Sequence, residues 1–522
     1  MEWKHLWSLK QYPPRKEQEK IIDDVLELYD LGFSNVIVEA GTGVGKSAIA
    51  TTLARMASNT YICTMTNQLQ TQYIDDFNYM LTEIKGRGNY PCNYGGDCKE
   101  CQMEIEELKR CPDCEYLLAL QEAQKSKTVI TNYDYLYYAG NYAQLFDKRE
   151  LLVLDEAHNF ENKIMSLISG NLNRKSILTR YGFDIFDKIV KGGTLESIKS
   201  KYYWIKILEK LIGFEEQRIP LSKKEEKKQE NMLRKYNTLK NSLEDNGWVV
   251  ELPRKKDILS NAKGLKVEFK PLSISEYSDQ LFQFGARRLF MTGTLGDKNK
   301  FCEWVGLDPD DTYHIYVKSP FPVENRRIYK RYVGSMSKGN WRTDKAIEVI
   351  KQIQEEHKND KGVVHTSSNH QAWWIKKTLN SKLVWVAQGD NREATIKAFE
   401  ESNKPILLVG AGIKDGVDFK GDKCRYQIMF KMPFPHLGSS QINIRRSKDP
   451  SWYNYQTIMP LMQAYGRGIR DMDDYCDTYV LDSDFDRLLK NYPNFFNEYF
   501  LEGIVEEHKK SGLGFEEIKY EF

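Results

Sequence analysis

Three groups of residues in this 522-residue sequence have types and spacings suited to chemistry on a nucleoside triphosphate. In EAGTGVGKS, Gly41, Gly43 and Gly45 lead into Lys46 and Ser47. Glycines let a backbone curl until successive N–H groups face a phosphate, and a helix N-terminus behind them adds partial positive charge. Ala40, Gly41, Thr42, Gly43, Val44, Gly45, Lys46 and Ser47 would form this cradle, with Lys46 reaching the β- and γ-phosphates and the Ser47 hydroxyl on Mg²⁺. The strict pattern has Gly where Ala40 stands. In LLVLDEAH, Asp155 would hold Mg²⁺ and Glu156 would polarise an attacking water. An acidic pair after a strand is by itself commonly a helix cap, but paired with Lys46 it completes a hydrolytic site. Far downstream, QAYGRGIRD supplies Gln463, Arg467 and Arg470. The two arginines are three apart and share a face if the segment is helical. Guanidinium groups facing the γ-phosphate across a cleft would stabilise charge developing in the transition state.

The elements needed to position these groups are legible beside them. Val36 to Val38 is an apolar, β-branched run that predicts a strand, and a helix-forming stretch begins at Lys46. Leu151 to Leu154 predicts a second strand delivering Asp155 and Glu156 at its C-terminal end. Thr478 to Leu481 predicts a strand after the arginine segment.

Length alone predicts three or four domains. With 41% hydrophobic and 29% charged residues the chain is globular. No apolar run approaches the ~18 to 20 residues that span a bilayer, and the N-terminus has no apolar signal core. The expectation is a cytoplasmic protein in a reducing compartment, of a prokaryotic or virus-infected prokaryotic cell, with no membrane partner. A net charge of +2 excludes a strongly basic nucleic-acid binder and leaves room only for a local groove.

Taken in order, EAGTGVGKS, DEAH, MTGTL and QAYGRGIR resemble a superfamily 2 helicase, and the set is similar to the XPD/DinG family of DNA helicases. Other segments agree. Arg15 and Gln18 in PPRKEQ stand where the adenine-recognition motif belongs. TMTNQLQTQ resembles the first DNA-contacting motif, and VITNYDYL resembles the approach to the DEAH strand. KSPFP, GVVHTSS and GIKDGVDFKGD continue the series, so the resemblance runs through nearly the whole chain. It implies that His158, Thr292, Thr294, Gly416 and Asp418 couple the nucleotide site to movement. Gly293 stands where the family usually has Ala, and Cys476 where Gly commonly follows the arginine motif.

Five of the nine cysteines fall between Asn89 and Tyr116. In a reducing compartment, clustered thiols are metal ligands or redox groups before they are disulfides. The other four, Cys63, Cys302, Cys424 and Cys476, are scattered and read as buried apolar residues. The family resemblance implies a [4Fe–4S] cluster held by Cys92, Cys98, Cys101 and Cys114, with Cys111 as competing ligand. Spacing alone suits tetrahedral zinc instead, because Cys98, Cys101, Cys111 and Cys114 make two C-x-x-C knuckles. Either metal would hold rigid a segment too poor in apolar residues to fold on its own core.

The expected fold is α/β: two RecA-like lobes of parallel sheet flanked by helices, the first interrupted by a metal-cluster insertion and a mainly helical arch. The expected boundaries are 1–85, 125–158 and 254–296 for the first lobe, 86–124 for the cluster insertion, 159–253 for the arch and 297–522 for the second lobe. In the arch, Trp204, Leu208 and Leu211 follow helical spacing, as do Met232, Leu239 and Leu243 in a highly charged run that reads as a solvated helix face. The short stretch ahead of Arg15 leaves no room for an N-terminal nuclease domain. The resemblance implies an ATP- and Mg²⁺-dependent helicase, moving 5′ to 3′ on single-stranded DNA and acting at duplex junctions, with a monomer as the default. Trp373, Trp374 and Trp452 are candidates for base stacking or for the core. A translocase that does not unwind, and a zinc-stabilised nucleic-acid binding protein with an ATP switch, are the competing readings.

Overall fold

The computed structural model describes residues 2–41, 43–92, 98, 111, 113–190, 198–337, 340–413 and 419–505. Thr42, Cys101, Gly416 and Asp418 lie outside the described residues.

Strands covered by helices on both faces must be apolar throughout, which is the pattern of parallel sheets. Asn35–Ala40 is buried at every position, and it pairs in parallel with Gly285–Thr292 on one side and Thr312–Val317 on the other. The first sheet runs Thr312–Val317, Asn35–Ala40, Gly285–Thr292, Arg149–Asp155, Thr60–Thr64, Thr128–Asn132, Thr82–Glu83, all parallel. Burying each of its Val, Ile and Leu side chains contributes about 1.5–3 kcal/mol. Because parallel strands share one direction, Ala40, Asp155 and Thr292 all finish at the same edge. Ligands bind at that carboxyl edge in open α/β sheets.

A second parallel sheet runs Val384–Val386, Leu407–Ala411, Gly362–Thr366, Tyr426–Met429, Asp477–Asp482, Ile328–Gly334, Ile504–Val505. The fold is thus two α/β lobes, as expected. The boundary expected at residue 297 falls inside the first lobe, since Thr312–Val317 is one of its strands. Its TYHIYV sequence is β-forming, but nothing local tells which sheet it joins.

Between the lobes' strands lies a third unit. The helices Lys201–Glu216 and Lys223–Glu244 pack together, and Trp204, Leu208, Leu211 and Leu243 are fully buried between them and a small sheet. That sheet is antiparallel, Gly170–Asn173 with Lys266–Pro271 and Trp248–Glu251. The unit is therefore not only helical, and it extends past residue 253 to Pro271. Phe269, from its central strand, stacks edge-on against Trp204. No helix among the described residues is long and apolar enough to cross a membrane.

Candidate nucleotide site between the lobes

The loop after Asn35–Ala40 turns through left-handed backbone at Gly43 (φ 83°) and Gly45 (φ 86°), a region that side chains with a Cβ enter only with strain. Space forbids a Cβ there as well. At Gly45 it would lie 2.5 Å from Gln18 Nε2, and at Gly43 2.8 Å from the Phe321 ring. The helix Lys46–Met56 starts directly behind. Arg15 and Gln18 hold the loop from the other side: Arg15 donates to the Gly43 carbonyl at 2.6 Å and Gln18 to the Val44 carbonyl at 2.7 Å. Lys46 donates to the Ala40 carbonyl at 2.9 Å. Burial pulls its ammonium below the usual lysine range, with Glu156 and Asp155 partly offsetting this.

Asp155 ends its strand buried, and Glu156 follows with φ 53°, a left-handed conformation that costs a non-glycine residue about 1–2 kcal/mol. Such strain persists where the surroundings hold it, commonly at functional sites. Burial and the adjacent Glu156 push Asp155 up to about 6. Burial also opposes ionisation of Glu156, but His158, Lys46, Arg467 and Arg470 outweigh it and hold Glu156 below the ordinary carboxylate range. His158 Nδ1 lies 3.0 Å from Thr292 Oγ1, which in turn donates to the Thr294 carbonyl at 2.7 Å. The DEAH and MTGTL segments are thereby wired together. A Cβ at Gly293 would meet nothing nearer than 3.9 Å, so the usual Ala would fit.

Gln463 sits on the helix Pro450–Tyr465, which ends just before Gly466. Arg467 and Arg470 therefore do not share a helix face; a loop brings them together. Gly468 makes that loop possible, since a Cβ there would lie 2.5 Å from Cys476 Sγ. Gly41, Lys46, Glu156, His158, Gly293 and Thr294 from the first lobe face Gln463, Arg467 and Arg470 from the second across a cleft of about 130 Å³.

Two residues here escaped sequence reasoning. Tyr73, on the helix Asn67–Phe77, donates to Asp155 Oδ2 at 3.1 Å, and Tyr133 donates to the Asp155 carbonyl at 3.0 Å. Burial, reinforced by Asp155, raises the Tyr73 phenol well above its ordinary range and keeps it a donor. The Asp155 carboxylate and the Tyr73 phenol that bonds it, with the Ser47 side chain against Tyr73, make an all-oxygen set that fits a hard cation such as Mg²⁺. Tyr73→Phe is expected to raise the Mg²⁺ concentration for half-maximal ATP hydrolysis about tenfold, the usual cost of losing a group that orients a metal ligand. A magnesium titration of the steady-state rate measures this.

Of the five clustered cysteines, Cys92, Cys98, Cys111 and Cys114 are among the described residues. Cys98 is buried in the same apolar cluster against which Cys114 and Tyr90 pack. The Cys114 N–H donates to the Cys111 carbonyl at 3.3 Å. Among the described residues no three His, Cys, Asp or Glu side chains converge as a metal site. The other four cysteines, Cys63, Cys302, Cys424 and Cys476, are all buried. Trp452 is buried too, whereas Trp373 is half exposed.

Two parallel-sheet lobes whose facing edges carry a phosphate loop, a DEAH segment and an arginine loop make a two-lobed RecA-like fold. Residues 11–181 match the family "Type III restriction enzyme, res subunit", and residues 348–502 match "Helicase C-terminal domain". Among solved structures, "XPD_Helicase" superposes with a TM-score of 0.62 at 17% identity, covering 92% of this chain and 98% of that one. The S. tokodaii Xpd4 structure gives 0.57 at 15% identity, covering 94% and 99%. ATP-dependent DNA helicase CHL1 of Vanderwaltozyma polyspora is 26% identical over 113 residues, 18% of this chain and 14% of that protein. The Saccharomyces cerevisiae CHL1 is 25% identical over 121 residues, 20% and 14%. The matched stretch thus spans only a small part of these curated relatives. The two family matches are to helicase-type domains, and the fold of the chain is similar to that of the XPD structures.

Proposed function

We propose that this protein is an ATP-dependent DNA helicase that moves 5′ to 3′ on single-stranded DNA and separates duplex at a junction. The observation that carries this reading is the single cleft lined by Lys46 and Glu156 from one lobe and by Arg467 and Arg470 from the other. A site split between two bodies makes hydrolysis depend on their approach, so closing and reopening the cleft alternates the lobes' grip on a strand. Lys46 takes the β- and γ-phosphates, Arg15 and Gln18 face the base, and Ser47 and Asp155 hold the metal. Magnesium, when bound, neutralises phosphate charge. Glu156 orients the water, Gln463 lines the cleft, and Arg467 and Arg470 neutralise charge as the terminal phosphate leaves. His158, Thr292 and Thr294, with Gly416 and Asp418, pass the state of the phosphates to the DNA-facing surfaces. Trp373, half exposed, is available for base stacking.

The cysteine segment is read as the seat of a [4Fe–4S] cluster on Cys92, Cys98, Cys101 and Cys114, with Cys111 in reserve. Support comes from five thiols in one short segment and from the apolar cluster shared by Cys98 and Cys114. Iron and acid-labile sulfide in protein purified without oxygen are expected at about four per chain. Zinc without sulfide would move the ligands to Cys98, Cys101, Cys111 and Cys114 and remove the cluster from the proposal.

The test of the function is displacement of a labelled strand from 5′-tailed and 3′-tailed duplexes with ATP. Only the 5′-tailed substrate is expected to open. ATP hydrolysis stimulated by single strands with neither duplex opening would establish a translocase instead.

A further inference from the structure

Glu161 lies in the first turn of the helix Phe160–Ile168, directly after the DEAH segment. An acidic residue there ordinarily faces water and favours the helix dipole. This one is 5% exposed and is directed into the second lobe. Trp452 Nε1 donates to both of its oxygens, at 3.1 and 3.0 Å, and Gln456 Nε2 donates to Oε2 at 3.0 Å. Arg445 pairs with Oε1 and lays its guanidinium over the Trp452 ring, 3.6 Å from the ring centre. All three partners belong to two consecutive helices of the second lobe, Ser440–Lys448 and Pro450–Tyr465. The second of these carries Gln463 and runs straight into the arginine loop. The first is anchored at its N-terminal end to the inserted unit, where Glu251 accepts from Ser439 Oγ and the Gln441 N–H, both at 2.6 Å.

We propose that Glu161 is a positioning residue that couples the DEAH lobe to the arginine-bearing lobe and so makes ATP turnover responsive to DNA. This rests on the motor reading above. One short segment joins Glu156, which faces the phosphates, to Glu161, which faces the second lobe. A buried carboxylate cannot slide off its donors by degrees, because parting from them leaves a charge without compensation. The contact is therefore made or broken as a unit, and a movement of the arginine loop is felt at Glu156 through it. The neutral Gln of a Glu161→Gln variant retains the bulk but not the charge that Arg445 and the indole N–H need.

The experiment compares wild type, Glu161→Gln, Trp452→Phe and the double variant. Nucleotide affinity is read with a fluorescent ATP analogue, and ATP turnover is measured with and without single-stranded DNA. Both single variants are expected to hold nucleotide affinity within about twofold while the DNA stimulation of kcat falls about tenfold, the scale of coupling between linked sites. The double variant is expected to lose little more, because the two residues act through one contact. Stimulation intact in both singles, alongside a lowered Tm, means a merely structural role and overturns the proposal. Trp452→Phe keeps the ring and removes one donor, so it decides the matter if Glu161→Gln does not fold. A wild-type chain whose turnover ignores DNA defeats the motor reading itself, a result distinct from a responsive wild type with equally responsive variants.

Discussion

Arg467→Ala is expected to leave ATP bound with nearly wild-type affinity while turnover falls by about 10³-fold or more. The arginine stands on the far wall of the cleft from Lys46 and Glu156, in the loop that follows the helix Pro450–Tyr465 rather than on the helix itself. It meets charge that grows on the terminal phosphate and so acts on the transition state more than on the bound nucleotide. It also helps hold Glu156 ionised, so its loss weakens the group that orients water. Single-turnover hydrolysis beside a nucleotide-binding titration separates the two effects. Turnover that survives would hand the role to Arg470, which lines the same cleft.

Lys46→Ala is expected to differ in kind, with both binding and hydrolysis failing. Turnover should fall by about 10²–10³-fold even at saturating ATP, the cost of removing one fixed charge aimed at the reacting phosphate. Lys46 is half-buried and its charge is poised against Asp155 and Glu156, so the deletion also removes a cation that helps keep both carboxylates ionised. Affinity for Mg²⁺–ATP should weaken along with rate, whereas Arg467→Ala preserves it. Finding the two variants alike in binding would mean that the phosphates do not sit on the Lys46 wall.

The parts of the site that depend on a few consecutive residues were legible in the sequence. A strand, three alternating glycines and a helix start are one local unit, and so is the apolar run that ends in Asp155. The order of those units along the chain then carried the resemblance on which the two-lobed fold was expected. What depends on distant packing was not legible. Tyr73 is an aromatic on an amphipathic helix until the fold sets its hydroxyl beside Asp155. Glu161 reads as a first-turn acid until three donors from the other lobe close over it. The arginines satisfy helical spacing, yet the helix stops first because Gly466 and Gly468 follow Tyr465. The strand Thr312–Val317 and the small antiparallel sheet at the base of the inserted helices were missed for the same reason. Short strands gain their identity from the partner they find.

The neighbours of the phosphate-loop strand are also a matter of timing. Asn35–Ala40 is made well ahead of both strands that flank it, Gly285–Thr292 and Thr312–Val317, which follow only after the cysteine segment and the whole inserted unit. At ~5–20 residues per second, tens of seconds of synthesis separate it from the strands that flank it in the finished sheet. The inserted unit, by contrast, receives its last strand at Pro271, before either of those flanking strands is complete. The nascent chain therefore carries every strand of its insertion before it carries the two that complete the sheet around the nucleotide cradle.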